Sequence, residues 1–97
     1  MSAKRGYLIF EDVQKDPSLR PVFDAGVNMV LNNTAKISDR DDWPCFLYVD
    51  SVRIIALDVL EYYLHELTAS GFDYEKARFF SERMIKLCWF DFHLPVY

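Results

Sequence analysis

The chain has 97 residues, 52% of them apolar and 16% aromatic, with fifteen acids against eleven bases and a formal net charge of −4. That is enough apolar material for one packed core and too short a chain for two, and it excludes a disordered protein. The charge is unevenly placed: eight acids lie between Asp41 and Glu75 with Arg53 as the sole base, so this stretch carries −7 and the remainder +3. Such segregation bears on partners rather than on fold, and points to a basic surface.

Tyr7-Leu8-Ile9-Phe10 is a short aromatic and apolar run that suits a strand. Asp16-Pro17 pairs an acceptor side chain with a proline and starts a turn over Asp16–Arg20. A helix follows over about 21–33, where Val22, Phe23, Met29 and Val30 recur at helical spacing and Asn32-Asn33 favours a stop. Ser38 to Asp42 is a polar loop. Trp43 to Val49 reads as a strand, with Pro44 at its start. Val52-Arg53-Ile54-Ile55 either pairs back across Asp50-Ser51 as a hairpin or belongs to one helix running from Ser51 to Ser70. The β-branched run favours the hairpin, with the helix beginning near Asp58.

From Asp58 to Ser70 the apolar face is Val59, Leu60, Tyr63, Leu64 and Leu67, and Gly71 ends the helix. Asp73 caps a last helix over about 73–89, with Glu75 in its first turn and Glu82–Lys86 as an i,i+4 pair. Phe92-His93-Leu94-Pro95 finishes as an extended segment. The fold class expected is α+β, a small antiparallel sheet of two or three strands packed with three helices in a single compact domain over 1–97.

Cys45 and Cys88 lack C-x-x-C spacing, and a secreted domain this small carries more cysteines. Both read as reduced, buried thiols of an intracellular protein. The N-terminus has no apolar run of signal-peptide length, and no stretch approaches the ~18 apolar residues of a membrane span. The expectation is a cytoplasmic monomer with no membrane contact.

Motifs for chemistry are missing. No serine sits in G-x-S-x-G, and neither cysteine has the context of a nucleophile. Gly6, Gly26 and Gly71 are scattered and form no phosphate loop. Glu61 and His65 at i,i+4 supply two metal ligands, too few without Cys45, Cys88 or His93 brought near. The Asp39, Asp41, Asp42 loop lacks the glycine turn and distal glutamate of a calcium site. Lys4-Arg5 and Arg78, Arg83, Lys86 are too few and too balanced for a phosphate track, so direct nucleic-acid binding is disfavoured. No catalytic residue, metal or cofactor is assigned.

What remains is the acidic stretch. At ~100° per residue Asp58, Glu61, Tyr62 and His65 cluster opposite the apolar face, with Glu66 at the edge. Asp58 and Glu66 are about 12 Å apart along the axis. Asp50 and Asp73 extend the row from the flanking loops, and Asp41, Asp42 and Glu75 complete the set. Tyr62, Tyr74 and Trp43 stand beside acids, as interface anchors do. An ordinary exposed helix mixes both signs, so this row suits a groove built for phosphates.

In length and in the acidic stretch Asp41 to Glu75, the whole chain resembles the small anti-CRISPR proteins directed at type I-F surveillance complexes, and among them the DNA mimics. No motif is shared, so no functional residue carries over. The resemblance implies a non-enzymatic inhibitor placed where double-stranded target DNA enters, engaging lysines and arginines that grip phosphates beside the protospacer-adjacent motif. At a net charge of −4 the mimicry it implies is local. The same acidic face also fits an immunity protein or antitoxin that neutralises a basic nuclease toxin.

Overall fold

The computed structural model describes residues 6–38 and 45–88. In chain order it runs α1 (Phe10–Lys15), a 3-10 turn (Pro17–Leu19), α2 (Arg20–Leu31), β1 (Lys36–Ile37), β2 (Phe46–Val49), β3 (Val52–Ile55), α3 (Ala56–Ala69) and α4 (Tyr74–Leu87). The three strands form one antiparallel sheet in the order β1-β2-β3, giving the expected α+β class. Trp43, Pro44 and the Phe92–Pro95 segment lie outside the described residues.

The hairpin forms. Val49 pairs with Val52 across Asp50-Ser51, and Phe46 pairs with Ile55 at the far end. Asp50 takes a φ of +56°, a left-handed conformation that aspartate tolerates better than most side chains. Leu47 and Val49 turn inward while Phe46 and Tyr48 are half-buried, the alternation of a sheet with one covered face. α2 lies on that face. A Cβ on Gly26 would meet Leu47 Cδ2 at 2.9 Å, so the glycine sets how closely helix and strand approach. Phe23, Val30, Leu47, Ile54, Leu60, Phe80 and Met84 fill the space between sheet and helices.

The N-terminal strand does not form. Leu8 makes a single parallel bridge to Ile54, donating to Arg53 O at 2.8 Å and accepting from Ile55 N–H at 3.1 Å. The third strand is Lys36–Ile37 instead. The reason is local: the Asp12 carboxylate accepts the Ile9 N–H at 2.8 Å, and Glu11 and Asp12 place negative charge in the first helical turn. A helix therefore starts at Phe10, in the middle of the β-prone run. At 6 residues α1 is too short to persist alone, and packing against α3 holds it.

The other helix boundaries follow their signals. Asp16 Oδ1 accepts from Ser18 N–H at 3.2 Å and opens the 3-10 turn. Pro21 falls at the second position of α2, where no donor is lost. α2 ends in a Schellman arrangement: Thr34 N–H reaches Met29 O at 2.9 Å, Asn33 N–H reaches Val30 O at 3.3 Å, and Asn33 has a φ of +63°. α3 leaves β3 directly at Ala56, slightly before Asp58, and stops at Ser70 with Gly71 at φ +95°. Asp73 caps α4 by accepting from Lys76 N–H at 3.2 Å. Glu82 pairs with Arg78 at 3.3 Å rather than with Lys86.

Cys45 and Cys88 are buried as expected, but they are not free thiols: they form a disulfide between the start of β2 and the C-terminal cap of α4. Their sequence separation of 43 hides a proximity that only the packing of α4 on the sheet creates. Among the described residues no helix is long and apolar enough to cross a membrane.

Candidate partner-binding face

The acidic side of α3 is only partly free, because α1 and the start of α2 cover much of it. The N-cap of α1 is Ile9, which has no side-chain acceptor, so the first helical N–H needs a partner from elsewhere. Asp58 supplies it: its Oδ2 accepts the Phe10 N–H at 2.6 Å across 48 residues of sequence. Asp58 is thus a half-buried structural carboxylate, not the freely exposed one expected.

Glu66 and Tyr62 follow the same pattern. Arg20 makes a two-pronged contact with Glu66, at 3.1 Å from Nη1 and 2.7 Å from Nη2, and the Glu66 carboxylate holds its guanidinium pKa up. This arginine comes from the basic remainder of the chain and neutralises one acid of the row. Tyr62, expected on the partner-binding side, is only 2% exposed. Its hydroxyl donates to Asp24 Oδ1 at 2.6 Å, and its ring lies 5.2 Å from that of Phe23. Burial, and then the Asp24 carboxylate, push its pKa well up. One apolar stripe is too narrow for a helix that touches α1, α2, α4 and β3 together, and the phenol fits the margin because its polar tip reaches Asp24. His65 stays at the surface, its ring 5.4 Å from Phe10.

Three of the expected acids remain exposed without a hydrogen-bond or ion-pair partner among the described residues: Asp50 in the hairpin turn, Glu61 on α3, and Glu75 in the first turn of α4. Partial burial, and secondly the charge of Asp58, raise the pKa of Glu61, so Asp58 and Glu61 share one field. Asp73 divides its role, capping α4 with one oxygen while raising the pKa of Tyr63, where burial is the larger cause. Arg53, the sole base of the stretch, is occupied: it donates to Gly6 O at 3.3 Å and lies 5.0 Å from the centre of the Phe46 ring. Asp41 and Asp42 lie outside the described residues. Among the described residues no three His, Cys, Asp or Glu side chains gather as a metal site would need.

A feature the charge count did not isolate lies at the corner between α3 and α4. Phe72, Tyr74 and Phe79 are 50%, 48% and 49% exposed, the large exposed hydrophobics among the described residues. Phe72 and Tyr74 alternate with Asp73 and Glu75 along the chain, and Phe79 follows one turn after Glu75 on α4. A groove of about 620 Å³ opens there, lined by Leu31, Tyr63, Asp73, Glu75, Lys76 and Phe79. Arg83 rests 4.8 Å from the centre of the Phe79 ring and donates to Asn33 Oδ1 at 2.8 Å. The signal in the sequence is the alternation Phe72-Asp73-Tyr74-Glu75 directly after the helix stop at Gly71, of which Tyr74 alone stood out as an anchor. The chain matches no family model, no curated protein and no solved structure.

Proposed function

We propose that this protein is a non-enzymatic inhibitor that occupies a basic, nucleic-acid-binding protein surface and keeps nucleic acid from it. The observation that carries this reading is that Asp50, Glu61 and Glu75 have no hydrogen-bond or ion-pair partner among the described residues, while the one base of their stretch, Arg53, is turned to other work. Carboxylates without internal partners are available to lysines and arginines that otherwise meet phosphates. Because Asp58 and Glu66 are engaged within the fold, the mimicry is a local patch reinforced by aromatic contact rather than a long row of charge.

The resemblance to small anti-CRISPR proteins makes a type I-F surveillance complex the target to test, with the protein acting as a cofactor-free monomer. The test is capture of crRNA-loaded complex on the immobilised protein over a salt series. Specific capture that weakens steeply as salt rises supports the reading, because exposed ionic contacts are screened over about 8–10 Å near physiological ionic strength. Absence of capture at low salt, or capture indifferent to salt, overturns it.

A further inference from the structure

We propose that the corner between α3 and α4 is the anchoring site of the interface, and that its groove takes an arginine side chain of the basic partner. This rests on the inhibitor reading and assigns it a place. The groove has what a guanidinium on an aliphatic stem requires: the aromatic side chains of Tyr63 and Phe79 and the carboxylates of Asp73 and Glu75 line it. Lys76 also lines it, one base against two acids. The Asp73 cap uses one carboxylate oxygen and leaves the other as an acceptor. Glu75 has no hydrogen-bond or ion-pair partner among the described residues.

The chain already carries the contact in miniature. Its own Arg83 guanidinium lies over the Phe79 ring at 4.8 Å from the centre, and Phe79 still keeps 49% of its surface open. Aromatic side chains beside acids, half-exposed in a domain that buries Phe23 and Phe80 completely, are the composition of an interface anchor rather than of a core. The charge also selects the occupant. A second copy docking through a two-fold axis would bring Asp73 and Glu75 against their own counterparts, whereas a basic segment meets opposite charge. Arginine fits better than lysine because its planar guanidinium stacks and bonds in a fork at once.

The experiment uses the full chain and acetylated, amidated tetra-arginine, tetra-lysine and tetra-glutamine peptides, read by amide chemical-shift titration. Tetra-arginine should move Tyr63 and residues 71–79 most, bind more tightly than tetra-lysine, and leave no trace as tetra-glutamine. Phe79→Ala and Glu75→Gln should each weaken tetra-arginine about two- to fivefold while the thermal midpoint stays within a few degrees. Shifts centred on Asp50 and Glu61, equal binding of lysine and arginine with no effect of Phe79→Ala, or shifts at 71–79 that appear on concentrating the protein alone would each overturn the assignment. Groove binding by a protein that captures no surveillance complex removes the inhibitor reading and leaves the groove. Salt-dependent capture unchanged by Phe79→Ala removes the groove and leaves the inhibitor.

Discussion

The acidic side of α3 and the corner at Phe72–Phe79 both place aromatics beside carboxylates in sequence, yet their side chains do opposite things. On α3, Asp58 closes an open helix end, Glu66 meets Arg20 and Tyr62 is sunk against α2. At the corner, Glu75 and the aromatics face outward. A carboxylate's availability to a partner is therefore decided by what packs over it, not by its place on a helical wheel.

Tyr62→Ala removes a fully covered ring from the α2–α3 contact and should cost about 3–5 kcal/mol, seen as a large fall in the urea midpoint. Were it nearly neutral, the buried placement of Tyr62 would be wrong. Asp58→Lys should cost about 2–4 kcal/mol, combining loss of a charge-assisted bond with a cation at two helix N-termini. Asp58→Asn, which keeps an acceptor, should recover part of the loss.

Substitutions at the corner should cost little stability. Glu75→Lys places a cation in the first turn of α4 and should cost no more than about 1 kcal/mol in thermal melts. A loss comparable to that of Asp58→Lys would erase the difference between the two regions. The smallest effect carries a sign. Because the folded pKa of Glu61 is raised, its ionised form costs stability above that pKa, and the cost disappears as pH falls below the unfolded value of about 4.3. Glu61→Gln should therefore melt slightly higher than wild type at pH 7 and no higher at pH 3. An advantage that grows toward acid would contradict the raised pKa that partial desolvation and the charge of Asp58 give this carboxylate.

Much of the fold is legible in the sequence because it rests on local signals. The hairpin follows from β-branched residues around Asp50-Ser51, and the ends of α2, α3 and α4 follow from Asn33, Gly71 and Asp73. The misreadings share a cause in long-range contact. Tyr7–Phe10 has strand propensity, but Asp12 and the distant Asp58 both favour a helix beginning at Phe10. That helix in turn covers the face that looked free. The pairing of Cys45 with Cys88 joins elements that meet only after the sheet and α4 pack. Of the candidate site, Glu61 and Glu75 were legible as exposed acids, whereas the exposure of Phe72 and Phe79 depends on how α4 docks.

Under the proposed function, the carboxylates of Asp50, Glu61 and Glu75, unpartnered among the described residues, and the exposed aromatics compete with nucleic acid for one basic surface. The direct measurement is competition for a crRNA-loaded type I-F complex between labelled double-stranded target DNA and the protein, as wild type and as the Glu61→Lys/Glu75→Lys double variant. Wild type should displace the DNA, and the variant, cooperatively folded and melting within a few degrees of wild type, should do so at least about tenfold less well, as reversal of charges against a basic partner requires. Displacement by the folded double variant equal to that of wild type, or no displacement by wild type, would contradict it.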